Sequence, residues 1–502
     1  MRTCRVWHAA ITGVVALAVA AVPAAASGVQ EQPSSTTAGS DAFYTYNGSK
    51  PLSSYSPGDV LKVRTLPYHV LGIATPLQAT QLLYRTTDAQ GHPSAGVTSV
   101  LRSPGGDGRK VVSYQSFYDS LDPEDGPSRA VAGNVRLPGG LIANGESTLV
   151  APLLLSGYDV VLPDTEGQAA HLTASREYGY NTLDSLRAAS SAESRTGISP
   201  DARVGLMGYS GGAVATNWAA SLAPTYAPDI NKRLVGYAEG GVLVKPSHIL
   251  GYIEGSQVWS GLIPELLIGQ ARSYDFDLKK YLNNYGKQLV DEHQHSSIAD
   301  ALGHYPALTW KKMAKPEYAN PNSVPELVEA VNKSNLGLAP TPTVPGYIGQ
   351  GNAGFLEGTA SNIAGIGSGD GIAVAGDTRA LARKYCAEGD AAVWYQQYDV
   401  LSHVTAPTAT VPTALAWLRA RFAGKEAPSS CGSIPEGNSL AADETVPAGR
   451  GPDGGRSELR QDRLEVLTEA VDHVTFGPGW SLAWLWGSVS RGRGSCRMNC
   501  GR

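Results

Sequence analysis

Short runs of small and β-branched apolar residues recur along this chain, separated by stretches in which apolar residues fall three and four apart. Val97 to Leu101, Lys110 to Phe117, Tyr158 to Leu162, Val204 to Met207 and Leu234 to Ala238 have the length and composition of buried strands. Helical spacing occupies the gaps at Ser147 to Leu155 and Asn181 to Glu193. Val344 to Gly349 and Ala391 to Tyr398 continue the series of strands. This alternation predicts an α/β fold whose sheet is mostly parallel and covered by helices on both faces. Between Gly240 and Pro340 the rhythm changes. His248 to Gln270 reads as one apolar helix, Asp275 to Glu292 as a charged amphipathic one, and Pro325 to Asn332 as a shorter one. Helices spliced between two strands of a sheet predict an inserted cap over residues 241–340.

The two ends read differently. Arg2 and Arg5, the apolar run Ala9 to Val22 and the small residues Ala24 to Ala26 have the order of a cleavable export signal, residues 1–26. Pro23 and the short, Ala-rich run argue against a membrane span, and no later stretch predicts one. Residues 27–45 are rich in Ser, Thr, Gln and Gly and predict a flexible segment. The sheet-forming region then covers 46–240 and 341–432. Residues 433–502, Gly-, Pro- and Ser-rich at first and carrying Trp480, Trp484 and Trp486 later, predict a disordered tail.

Losing Arg2 and Arg5 moves the formal charge from −5 to −7, and no basic stripe points to nucleic acid. Of the five cysteines, Cys4 lies in the signal, and Cys496 and Cys500 in the tail. Cys386 and Cys431 are free to pair in an oxidising compartment, around a loop that holds His403. No zinc-like spacing appears.

The sharpest local feature is Gly208-Tyr209-Ser210-Gly211-Gly212, directly behind Val204 to Met207 and ahead of a helix-like Ala213 to Leu222. Strand, Gly-x-Ser-x-Gly turn and helix together describe a nucleophile elbow, which holds a serine in a strained turn above an α/β-hydrolase sheet. A serine hydroxyl needs a base, and the base needs an acid, in the chain order Ser, Asp or Glu, His. His248, His293, His295 and His304 all fall in the helical insertion. His293 and His295 beside Asp291 and Glu292 read as a solvated helix face rather than a metal site. His403 instead follows the strand-like Val393 to Tyr398 by a short loop and precedes the helix-like Val411 to Phe422, where the base belongs. Asp370, in a Gly-rich loop after Val344 to Gln350, is the favoured acid. Glu357 and Asp377 compete with it, Asp377 reading better as a helix N-cap.

At these residues the chain resembles the fungal and actinobacterial secretory lipases. Gly208 to Ala213, Ala215-Thr216, Trp218-Ala219, Ser221 to Ala223 and Tyr226 to Pro228 carry the likeness. So do Leu83 to Thr87, Ser113 to Gln115, Leu183-Asp184, Arg187-Ala188 and the spacing from Asp370 through Cys386 to Cys431. The likeness spans roughly residues 40–432. It implies an α/β-hydrolase fold with an inserted cap, a Ser210, Asp370, His403 triad and a Cys386–Cys431 disulfide. It also implies an oxyanion site formed by Asp119 with the N–H of Gly211. Three departures stand out: no cysteine near Asp122 to Ser128, a Gly-rich loop from Phe355 to Gly369, and glycine rather than a carboxylate at Gly354.

The resulting expectation is a secreted serine hydrolase of carboxylic esters, with lipid or small-ester substrates and contact with a lipid–water interface. This chemistry requires neither metal nor organic cofactor. An acyltransferase or peptidase would use the same triad, and an inactive hydrolase-fold binding protein is the alternative from another class.

Overall fold

A computed structural model describes residues 41–449. Nine strands form one sheet: β1 (Val60–Val70), β2 (Ile73–Thr87), β3 (Pro93–Leu101), β4 (Lys110–Gln115), β5 (Asp159–Pro163), β6 (Arg203–Tyr209), β7 (Leu234–Gly240), β8 (Gly346–Gly351) and β9 (Val393–Tyr398). Their spatial order is β1-β2-β3-β5-β4-β6-β7-β8-β9. The run from β5 to β9 is parallel, while β1, β2, β3 and β5 pair antiparallel. The mostly parallel α/β sheet expected from the sequence is therefore present, with an antiparallel flank.

That flank begins with two strands the periodicity did not reveal. β1 is an edge strand containing Pro67, with a register shift between Pro67 and His69. Proline is tolerated there because an edge strand leaves one row of N–H groups unpaired. The first half of β2 is mostly exposed, so neither segment shows the continuous apolar run of β4 to β8.

The longer helices are α1 (Leu141–Leu155), α2 (Ser175–Ser191), α3 (Gly211–Tyr226), α4 (Pro246–Ile253), α5 (Ile263–Tyr274), α6 (Asn284–Glu292), α7 (Pro325–Lys333), α8 (Ala375–Glu388) and α9 (Pro407–Phe422). On one face α3 is buried from Gly211 to Ala223 between the sheet and α2. Its alanines permit that approach, and Gly179 of α2 lies against the Trp218 backbone. On the other face Trp417, Leu418 and Phe422 of α9 and Leu153 and Leu154 of α1 complete the core. Each such large side chain contributes about 1.5–3 kcal/mol by leaving water.

Helices α4 to α7 lie between β7 and β8, and their apolar faces share one cluster with Leu121, Leu172 and Ile372 of the sheet-forming region. The expected helix from His248 to Gln270 is in fact two. Gly255, at φ +75°, turns the chain after α4, and a short turn places Trp259 before α5. The expected helix from Asp275 to Glu292 is likewise a single turn followed by α6, which Asn283 caps through the Gly286 N–H at 2.9 Å.

Both expected end segments start or finish elsewhere. Residues 41–45, assigned to the flexible stretch, include a turn whose Tyr44 is buried under the Arg129 guanidinium. Residues 433–449, assigned to the tail, run mostly exposed over the fold but are tied to it at several points. Ile434 is buried, Asn438 donates to Asp377 and Ile366, and Asp443 pairs with Lys245 at 3.3 Å. Hydrogen bonds to other segments hold these stretches in place, which local composition does not report. The expected export signal, residues 1–26, and the rest of the expected tail lie outside the described residues.

Cys386, in the last turn of α8, is bonded to Cys431 across 45 residues of chain. Replacing both cysteines with serine removes the cross-link that closes the loop containing His403. We expect a loss of about 2–4 kcal/mol, read as a lower urea midpoint than that of the oxidised protein.

Candidate active site

The strand order brings four chain segments to one edge of the sheet. β4 and β6 are neighbours, with Gln115 opposite Gly208, so the loop after β4 lies beside the turn after β6. β8 and β9 deliver their loops to the same carboxyl edge.

Ser210 sits in the turn between β6 and α3 at φ +53° and ψ −123°, a conformation non-glycine residues rarely adopt. The neighbouring glycines explain why the turn is possible. A Cβ on Gly208 would collide with the Gly212 carbonyl, and one on Gly212 with the Gln115 carbonyl. The Ser210 N–H donates to Gly240 O at 2.9 Å, tying the turn to β7.

His403 Nε2 lies 2.8 Å from Ser210 Oγ, and its Nδ1 lies 2.9 Å from Asp370 Oδ2. With Nδ1–H directed at the carboxylate, Nε2 presents its lone pair to the serine hydroxyl. Asp370 is fully buried and well held. Its Oδ1 accepts the N–H groups of Ile372 and Ala373, and its Oδ2 accepts Gln350 Nε2 at 3.2 Å. The loop before Asp370 is an excursion closed at its base, where the Gly354 N–H donates to Gly369 O at 2.9 Å. That closure returns the chain to the end of β8, with Asp370 against Gly351. The space beside Gly354 is itself occupied by the Asp370–Gly371 backbone.

Burial opposes the charge on His403, but the combined fields of Asp370, Glu357 and Asp119 raise its pKa above the ordinary value. Glu357, weighed from sequence as a rival acid, does not touch the imidazole. Its Oε1 accepts the Val404 N–H at 2.8 Å, and its Oε2 accepts Trp259 Nε1 at 2.6 Å. The Trp259 indole in turn meets the His403 ring edge to face, 5.2 Å between centroids, and Tyr209 flanks the other side at 5.0 Å. Trp259 and the Glu357 clamp were missed because the contact depends on the break between α4 and α5.

Asp119, at φ +34°, follows β4 and lies directly against Gly211, where a Cβ would meet its Oδ1. Its carbonyl accepts the Ile298 N–H at 2.9 Å, so the helical insertion holds this loop. Burial raises its carboxyl pKa to about 7, with His403 pulling the other way. Glu166 nearby is raised well above the usual range by burial and by Asp119, its Oε2 accepting the Ser120 N–H at 3.1 Å.

Two other sequence readings change. Asp377 is not an N-cap. Val374 holds that position, and Asp377 accepts His248 Nδ1 at 2.8 Å and Asn438 Nδ2 at 2.7 Å. His293 is not solvated but buried, its Nδ1 3.4 Å from Glu265 Oε1. Among the described residues no cluster of three or more His, Cys, Asp or Glu side chains has the arrangement of a metal site, and no helix is long and apolar enough to cross a membrane.

A cleft of about 930 Å³, its open mouth included, begins at Ser210, Gly211 and Asp119 and runs between the sheet and α4, α5 and α7. Leu172, Val214, Leu243, Ile249, Leu266 and Leu327 are among its mostly apolar walls.

The family described as Secretory lipase matches residues 137–430. Lipase 2 of Candida albicans is 33% identical over 414 residues, covering 79% of this chain and 83% of that protein. A Mycobacterium tuberculosis protein named a probable inactive lipase is 31% identical over 376 residues, covering 74% and 79%. Among solved structures, Candida antarctica lipase A in its closed state superposes with a TM-score of 0.69 at 24% identity, over 81% of this chain and 91% of that one. That likeness shows a shared α/β-hydrolase fold.

Because the Glu357 charge favours imidazolium, Glu357→Gln should lower the pKa of His403. Histidine NMR titration checks this. An unmoved or raised pKa would mean that the carboxylate acts only on the backbone.

Proposed function

This chain belongs to the secretory lipase family, and we propose that it is an exported, triad-dependent ester hydrolase whose substrates are acylglycerols or similar lipid esters. The observation that carries the reading is the buried hydrogen-bonded run Ser210–His403–Asp370 at the head of an apolar cleft. Ser210 Oγ attacks the ester carbonyl while His403 Nε2 takes its proton. Asp370 holds the imidazole in the required tautomer and stabilises its charged form. The tetrahedral intermediate collapses, and His403 returns the proton to the departing alcohol. Water then repeats the sequence on the acyl-enzyme, releasing the acid and restoring Ser210.

The oxyanion forms beside Gly211, at the N-terminus of α3. The Gly211 N–H is one donor. Asp119 is the second, and it donates only when protonated. Its raised pKa, at about 7, keeps a substantial fraction of the side chain neutral through mildly acidic to neutral pH. Glu357 and Trp259 are positioning residues in this scheme: they hold the residue after His403 and one face of its ring. The apolar walls favour an acyl chain over a peptide, and the family's name supports export.

Hydrolysis of p-nitrophenyl esters from acetate to palmitate, with Ser210→Ala as control, tests the reading. Turnover that rises with chain length and vanishes in the control is expected. No serine-dependent turnover at any length would refute it and favour a binding role. Asp370→Asn should lower kcat by about 10⁴, as loss of the correct tautomer does.

Asp119 gives a pH prediction. Its proton is lost as pH rises through about 7, so kcat should fall there. Asp119→Ala should cost about 10²–10³ in kcat. Asp119→Asn, which keeps an N–H donor at every pH, should retain more activity than alanine and lack the fall near neutrality. An Asn variant with the wild-type alkaline profile would assign that fall to another group.

A further inference from the structure

The amino edge of the sheet, opposite the one that carries Ser210, holds a charged hollow that the ester chemistry does not touch. It lies where β6 begins at Arg203 and β7 at Leu234, with Pro345 just before β8 and the turn after α9 beside it. Its volume is about 830 Å³, the open mouth included. At about 3.3 Å per residue, the seven residues of β6 put the nucleophile roughly 20 Å away.

Five cationic side chains line the hollow: Arg203, Lys232, Arg233, Arg421 and Lys425. They come from three separate parts of the chain, so no basic stripe marks them in the sequence. Asp201 and Glu426 share the lining, yet the lysine and arginine ion pairs among the described residues all involve other cations. Arg203 is fixed in place, its guanidinium donating to Phe422 O at 2.8 Å and Arg421 O at 2.9 Å at the end of α9. Arg233 is fixed by Ala202 O at 3.0 Å and Pro200 O at 2.7 Å. Arg421 is only 5% exposed. Its Nη2 donates to Glu426 O at 2.6 Å, while Nε and Nη1 are buried without a partner among the described residues. Burial lowers the pKa of Arg233 and of Arg421, and the carboxylates near them offset it only in part. Buried charges are ordinarily paired, and here the described fold supplies no counter-charge in contact.

An anion in the mouth of the hollow would supply it. Arg203, Lys232 and Lys425 are exposed and can touch such a ligand, while Arg233 and Arg421 act on it through their field. A single carboxylate leaves most of this positive charge unmet, and one phosphate does not fill the volume. A bilayer is too flat to enter a concave site, and docking there would turn the ester cleft away from the lipid. No aromatic side chain lines the hollow, so nucleobases would find nothing to stack on. We propose that the hollow binds a linear, base-free polyanion through successive phosphate groups, anchoring the protein with the Ser210 edge facing outward. The overall negative charge of the chain makes this local reversal of sign the one place among these five cations where such a polymer is drawn in.

The test follows binding of fluorescein-labelled linear polyphosphate to the whole chain by fluorescence anisotropy. Polyphosphate should bind about a hundredfold more tightly than inorganic phosphate, because several cations are engaged at once, and binding should weaken steeply as salt rises. Lys232→Glu combined with Lys425→Glu should lower the affinity by about tenfold or more and leave the thermal midpoint and p-nitrophenyl ester turnover unchanged. Lys50→Glu combined with Lys311→Glu makes the same change of charge at exposed positions elsewhere and should have a much smaller effect. No binding by the wild-type chain overturns the site, and so do equal losses in the two double variants. Tighter binding to anionic phospholipid vesicles, or to single-stranded DNA, than to polyphosphate assigns the hollow to that partner and overturns the base-free polymer.

Discussion

The site depends on one strained turn. Ser210 is held at a positive φ that costs on the order of 1–3 kcal/mol for a residue with a side chain, and the surrounding fold maintains it. β6 fixes the residue before it and α3 the residue after it, while Gly240 of β7 accepts its N–H. The absence of side chains at Gly208 and Gly212 lets the turn close on β4 and on itself. The hydroxyl then has one place to be, and His403 and the Asp119 loop are arranged around it.

Around that turn, burial rather than charge count sets the electrostatics. Two buried acids near His403 meet different hydrogen-bond partners. Asp370 receives two backbone N–H groups and the Gln350 amide beside the imidazole, so its charge is met on every side. Asp119 has no comparable set of donors, and burial pushes it toward its neutral form. Two carboxyls of identical chemistry thus sit in different hydrogen-bonding surroundings, one met by several donors and the other by none from its neighbours.

The helical insertion belongs to the site as well as covering it. Ile298 holds the Asp119 loop, Trp259 packs on the His403 ring, and Glu357 joins Trp259 to the residue after His403. α5 and α7 supply the cleft walls, Gln270 among them. A rearrangement of these helices would be felt directly at His403 and at the Asp119 loop.

What the sequence by itself determined is what local backbone sterics and chain order determine. The glycines about Ser210, the strands β4 to β9 and the positions of His403 and Asp370 after late strands are all legible, because each is written in neighbouring residues. The edge hairpin was not, since half-exposed strands carrying Pro67 lack the apolar signature. The helix break before Trp259, the anchoring of residues 433–449 through Ile434, Asn438 and Asp443, and the burial of His293 were also hidden. Only the tertiary structure decided that Glu357 bonds the residue after His403 and not its ring, that burial raises the Asp119 carboxyl, and that Gln270 Oε1 is left without a partner among the described residues. Each of these depends on dielectric surroundings and hydrogen-bond partners far away in the chain, and those exist only once the chain has folded.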